Sequence, residues 1–177
     1  MKRSVLMIGT LSLLTALFGC WPQGRDDPPL ETVSNVDLKR YSGTWFEIAR
    51  YPNRFQKDCY ASRAIYRLRD DGRVDVTNVC HEGSLEGPER SVQGKARVVD
   101  PVSNAKLEVS FFWPFWGDYW IIDLDPDYRW AVVGHPQRTY LWILARTPTL
   151  DRTILAEIRQ RLTAQKYDVS RLIMTER

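Results

Sequence analysis

Residues 60–80 read YASRAIYRLRDDGRVDVTNVC, two alternating runs that turn on Asp70-Asp71-Gly72. Ala64, Tyr66 and Leu68 share one face of the first run, and Val76 and Asn78 share one face of the second. Alternation with period two on both sides of an Asp-Gly turn predicts a β-hairpin with one buried face.

Working outward, the same unit recurs from Gly43 to Thr147: a run rich in Val, Ile, Tyr, Trp and Phe, then a break carrying Gly, Pro, Asp or Asn. Eight runs result, at Gly43–Tyr51, Tyr60–Arg69, Arg73–Cys80, Arg90–Val99, Ala105–Phe112, Gly117–Leu124, Tyr128–Gly134 and Tyr140–Thr147. All the breaks except Pro52–Cys59 and His81–Glu89 are short enough for hairpin turns, so consecutive strands run antiparallel. After Thr147 the period becomes helical: Leu150, Ile154, Leu155, Ile158 and Leu162 line one face, with Thr149 placed to cap. Leu172-Ile173-Met174 can add a short strand. No sequence repeat at a fixed period marks a propeller or solenoid. The predicted fold is all-β, an eight-stranded antiparallel up-and-down barrel with one C-terminal α-helix packed outside, since closure removes exposed strand edges. Val92, Gly94, Ala96 and Val98 on one face of the fourth run leave room inside, and a barrel of this size can hold one small ligand.

The N-terminus reads differently. Ser4 to Phe18 is an apolar run behind Lys2 and Arg3, too short to span a membrane and suited to a secretory signal. Gly19-Cys20 at its end resembles the lipobox of bacterial lipoproteins, which implies cleavage before Cys20 and acyl chains, palmitate among them, on that residue. Residues 1–19 are thus read as a lipoprotein signal peptide, 20–35 as a Pro- and Gly-rich tether, and 36–177 as the domain. Losing Lys2 and Arg3 takes the formal charge from +3 to +1, which leaves nucleic-acid binding without an electrostatic case. Export to an oxidising compartment makes Cys59 and Cys80 a predicted disulfide. Counting outward from Asp70-Asp71-Gly72 sets Cys59 opposite Glu82 or Gly83, so the bond needs a bulge or slack in the loops. With His81 and His135 the only histidines, no metal site is expected, and no cofactor.

Gly43-Thr44-Trp45, Asp127-Tyr128 and Arg146 resemble the three signature regions of the lipocalins. The stretches GTWFEIARYPNRF, LEVSFFWPFWG and YLWILARTPTLD look like the bacterial outer-membrane lipoprotein branch, related to apolipoprotein D. Hairpin alternation brings Gly43, Trp45, Asp127, Tyr128 and Arg146 to one end of the barrel. The resemblance implies that they plug it, with the arginine across the tryptophan ring. The opposite end carries Phe111, Phe112, Trp113, Phe115 and Trp116, either exposed as a rim or folded over one another.

Three functions follow. The resemblance implies a lipid-anchored outer-membrane carrier for fatty acids or lysophospholipids. Alternation selects Tyr51, Tyr66, Val76, Asn78, Ala96, Val109, Trp116 and Trp142 as its lumen contacts. An enzyme on the same scaffold would need a base, for which Glu47 is the inward candidate unless it pairs with an interior Arg or Tyr; no Gly-x-Ser-x-Gly elbow is present. An envelope interaction protein would dock through the aromatic rim, onto a partner, a second copy in a homodimer, or the bilayer.

Overall fold

The computed structural model describes residues 27–177. The signal peptide and Cys20 lie outside the described residues. Eight strands form a closed antiparallel barrel: β1 (Gly43–Arg50), β2 (Cys59–Leu68), β3 (Val74–Glu82), β4 (Glu89–Val98), β5 (Lys106–Phe112), β6 (Phe115–Leu124), β7 (Trp130–Gly134) and β8 (Leu141–Ala145). Each strand pairs with the next, β8 returns to β1, and β1 closes on β2. A short β9 (Ile173–Met174) adds to the upper half of β1. Thr175 continues the ladder to the Ile48 carbonyl, and the Ala61 amide reaches the Glu176 carbonyl, so the C-terminal residues bridge β1 to β2 where those strands have parted.

The alternation in β2–β5 follows from solvent on one side. Their outer face carries cross-strand ion pairs, Arg63–Glu89, Arg67–Asp75 and Arg97–Glu108, while Tyr66, Val76, Ala96 and Leu107 are buried inside. The strands β7 and β8 are apolar on both faces because α2 (Arg152–Ala164) covers their outer side. Ile158 and Leu162 of α2 pack there with Trp130, Val132, Ile143 and Ala145, giving a second core outside the barrel. Asp151, rather than Thr149, caps the helix: its carboxylate accepts from the Thr153 and Ile154 amides at 2.7 and 3.3 Å. Thr149 lies two residues too early and instead offers its carbonyl to the Thr147 hydroxyl.

Two features of the N-terminal part add to the sequence reading. A four-residue helix, α1 (Leu38–Tyr41), capped by Asp37, precedes β1. The part of the tether that the structure describes runs along the wall: Leu30 is buried in the outer core and the Val33 amide donates to the Ile121 carbonyl, after which the Val36 amide at the start of the domain donates to the Ser103 carbonyl. The chain therefore descends from Pro28 at one end of the barrel to α1 at the other before β1 climbs back.

The Cys59–Cys80 disulfide is formed, with Cα atoms 5.4 Å apart. Cys59 pairs in register with Glu82, and the bulge the bond requires lies between Tyr60 and Arg63, where Ala61 adopts a left-handed φ of 45°.

Candidate functional site

One end of the barrel is sealed by interlocking cations and rings. The Arg146 guanidinium lies 3.8 Å from the centre of the fully buried Trp45 ring. It also donates to the carbonyls of Arg40, Thr44 and Tyr128 at 2.6, 3.0 and 3.3 Å. The Trp45 indole N–H donates to the Tyr41 carbonyl at 2.7 Å, which ties α1 into the plug. Gly43, at φ 101°, would set a Cβ only 3.2 Å from Arg146 Nη1, so any side chain there meets both strain and crowding. Tyr128 accepts the Asp37 amide at 2.8 Å and carries the Arg40 guanidinium 4.2 Å above its ring. The acid that organises this turn is Asp125, which sequence reasoning passed over. Buried, it accepts from the Asp127 and Arg129 amides and twice from the Arg129 guanidinium at 2.8 Å. Asp127 contributes its backbone amide to that arrangement.

Above the plug the inner wall is apolar, with hydroxyls only at its base. Tyr119 is hydrogen-bonded to Tyr41 at 2.8 Å and to Tyr66 at 2.9 Å, and burial pushes the Tyr66 hydroxyl up to about 12 and the other two well above the usual phenol value. A cavity of about 20 Å³ lies against these rings and Val74, Val76, Ala96, Leu107 and Val109. That holds about one water, far below the roughly 300 Å³ at which small-molecule pockets begin. The space over the small residues of β4 is taken by Phe111, whose half-buried ring comes within 2.7 Å of where a Gly94 Cβ would stand.

Towards the open end the wall becomes polar. Glu47 faces inward beside Leu144, as its alternation with Trp45 predicted, and is buried. It accepts from the Gln56 amide and, at 2.6 Å, from the Thr175 hydroxyl, and it lies 3.6 Å from Arg50 Nε. The Trp142 indole donates to the Gln56 side-chain carbonyl at 2.8 Å, and its ring stacks on Tyr140. Two buried polar atoms of this region, Arg50 Nε and Ser62 Oγ, have no hydrogen-bond partner. Among the described residues no group of His, Cys, Asp or Glu is arranged to hold a metal ion.

Of the eight proposed lumen contacts, Tyr66, Val76, Ala96 and Val109 border the cavity, and Trp142 packs against the inner core nearer the mouth. Asn78 is half-buried on the same face of β3 as Val76, between Ala64 and Val92. Tyr51 and Trp116 are not in the lumen. A bulge between Glu47 and Ala49 inverts the alternation of β1, so Ala49 and Tyr51 join the outer core, where the Tyr51 hydroxyl donates to the Asp168 carbonyl. Trp116 is one residue from Gly117, which pairs with the inward Val109, and its ring lies on the outer face, 4.2 Å from the Arg97 guanidinium. The residues missed were Tyr119, which shares the face of Gly117 and Ile121, and Tyr41, delivered by a helix too short to show a period. The aromatic tip is exposed: Phe112, Trp113 and Phe115 are 73%, 86% and 75% accessible.

With this geometry in place, a lipocalin-like domain model matches residues 36–177. The chain is similar to outer membrane lipoprotein Blc of Escherichia coli, 42% identical over 151 residues that cover 84% of this chain and 85% of that protein. It is also similar to apolipoprotein D of Macaca fascicularis, 30% identical over 187 residues, with 97% and 95% of the two chains covered. Insecticyanin from the tobacco hornworm Manduca sexta shares the fold, with a TM-score of 0.68, 20% identity and 85% of each chain covered.

Proposed function

This chain belongs to the lipocalin family, and on that premise we propose that it is an outer-membrane carrier, anchored through acylated Cys20, that holds a fatty acid or lysophospholipid. The acyl chain lies in the barrel and the polar head at the mouth. The observation that carries this reading is the gradient along the inner wall: an arginine-tryptophan plug at the base, apolar and small residues above it, and buried polar atoms without a hydrogen bond near the opening. A ligand head that hydrogen-bonds Ser62 Oγ recovers the desolvation cost that group now bears, about 1–3 kcal/mol. The anchor and the outer membrane are supported by the relatives named as outer membrane lipoproteins.

Because the cavity is water-sized, the acyl chain makes its own room by turning the Phe111 ring off Gly94. Burying about eight methylenes at roughly 0.8 kcal/mol each offers some 6 kcal/mol before association costs, short of the roughly 8 kcal/mol net that micromolar binding needs, so a longer buried chain and contacts of the head at the mouth supply the rest. Catalysis has less support. Glu47, the candidate base, is held by Gln56, Thr175 and Arg50 as a strut of the wall. The relatives carry names of lipoproteins and lipocalins.

Titrating fatty acids of increasing length, followed by tryptophan fluorescence, tests the carrier reading. Each added methylene strengthens binding roughly fourfold until the lumen is full. Ala96→Trp abolishes binding in a folded protein, and Phe111→Ala preserves or improves it. Affinity independent of chain length, or unchanged in folded Ala96→Trp, would sink it.

A further inference from the structure

The rim and the path of the N-terminal segment point the same way. The tip of the β5–β6 hairpin presents Phe112, Trp113 and Phe115 to solvent, and Phe55, 58% exposed, stands at the same end in the β1–β2 loop. At the closed end the exposed large apolar side chains, among the described residues, are aliphatic: Val99, Val102 and, beside Thr44, Ile65. Three neighbouring aromatic residues at such exposure mark a contact surface, and aromatic rings favour the headgroup level of a bilayer. Charge at the open end is mixed, with Arg54 and Lys57 beside Phe55 but Glu82 and Glu86 on the β3–β4 loop, so apolar insertion carries the contact.

The tether says which bilayer. The Arg138 guanidinium, in the loop between β7 and β8, donates to the Pro28 carbonyl at 2.7 Å. That loop belongs to the open end, since Trp142 at the start of β8 pairs with Arg50 at the end of β1. The chain therefore leaves the domain at the mouth. Cys20 is eight residues before Pro28, a reach of at most about 28 Å. A ten-residue strand tilted by about 40° makes a wall roughly 25 Å high. With the mouth on the membrane the tether is slack; with the closed end on the membrane it would run almost fully stretched down the wall.

We propose that the open end rests on the same leaflet that holds the anchor, with Phe112, Trp113 and Phe115 sunk among its headgroups. The ligand then passes between leaflet and lumen without crossing water. This rests on anchoring through Cys20 and is independent of which lipid is carried.

The test uses the full-length acylated protein in phosphatidylethanolamine–phosphatidylglycerol vesicles with brominated acyl chains, in a Trp21→Phe background that silences the tryptophan next to the anchor. Bromine quenches the remaining fluorescence, and Trp113→Phe, which keeps an apolar ring at the tip, removes most of that quenching. Quenching unaffected by Trp113→Phe in protein that floats with the vesicles overturns the docking while leaving the anchor intact. Protein that fails to float overturns the anchor and the docking with it. Tip substitutions to serine that convert a dimer to a monomer on sedimentation, with bromine quenching unchanged, would make the tip a face between copies and overturn the membrane contact.

Discussion

At the closed end Trp45 is fully buried under Arg146, and that guanidinium has three carbonyls to satisfy it; at the open end Trp113 is 86% exposed and the buried Arg50 Nε, 3.6 Å from Glu47, makes no hydrogen bond. The two ends use the same residue types for opposite purposes. A ring and a cation that complete each other stabilise the fold, whereas rings and polar atoms left uncompleted are where something else can bind. Functional surfaces are commonly drawn from the less stable parts of a structure, and here the division follows the axis of one barrel.

The sharpest way to break this contrast is to remove one tryptophan from each end. Trp45→Ala should cost about 3–5 kcal/mol, the usual price of deleting a buried aromatic ring, while Trp113→Ala should stay within about 0.5 kcal/mol. Urea unfolding of the two variants measures both. Equal losses would mean that the exposed tip is part of the folding core and that the contrast is false.

A smaller effect is expected at the staple that bounds the mouth. Replacing Cys59 and Cys80 together by serine frees a loop of sequence separation 21 and should cost about 3 kcal/mol in the chain-entropy account. Unfolding in urea with and without reductant reads it directly. The contrast is sharpened if the double variant loses stability yet keeps Trp45 shielded from acrylamide in the folded state, since the plug shares no residue with the bond.

The sequence was legible where one face of a strand meets water and the other a core. Alternation in β2–β5 placed Tyr66, Val76, Ala96 and Val109 on the inner face, where they lie, because Arg63, Arg67 and Arg97 declare the outer face. The closed end was legible through Gly43, Trp45 and Arg146, whose roles depend on residue chemistry and turn geometry. Tyr51 was misplaced because nothing in GTWFEIARY announces a bulge after Glu47; the inversion is imposed by β8 and β9, which pair with the upper half of β1. Trp116 was misplaced because alternation alone does not say which face of β6 is the inner one, and its parity is opposite to that of the inward Gly117, Tyr119 and Ile121. The extent of the lumen was hidden for another reason. Gly94 and Ala96 announce space, but whether Phe111 fills it is a matter of side-chain packing across strands.

Below the disulfide in size is Asp125, which probes the closed end by pH. Hydrogen bonds from Arg129 and neighbouring amides hold its carboxyl below the ordinary 3.8. The folded state thus binds the proton less readily than the unfolded chain. Its contribution is in place above pH 3.8 and is lost as pH falls through the folded value. Asp125→Asn should cost about 1–2 kcal/mol at neutral pH and make the acid limb of a stability-against-pH curve shallower. It should not flatten that limb, because Asp71, Asp100 and Asp151 are also held low. An unchanged acid limb in the variant would remove Asp125 from the plug.

The smallest effect belongs to the open end and has a different pH window. Burial lowers the His135 imidazole below its usual 6.5, and Asp118, 3.7 Å from Nε2, offsets only part of that. Nδ1 lies 3.3 Å from the Gln137 amide nitrogen that donates to it and 3.0 Å from the Thr139 hydroxyl. Protonation at Nδ1 ends its acceptance of the amide, so the neutral ring suits the loop. Since the folded value lies below the unfolded one, the unfolded chain takes up the proton first on acidification. Stability should therefore be complete above pH 6.5, decline as pH falls below it, and level off once the folded imidazole also titrates. His135→Gln should remove that inflection while leaving the carboxylate limb near pH 3.8 untouched. Melting temperatures taken at half-unit steps from pH 8 to pH 4 would show it. Coincident curves for the two proteins would mean that the loop between β7 and β8 tolerates the charge, and that this part of the mouth is more open to water than its burial implies.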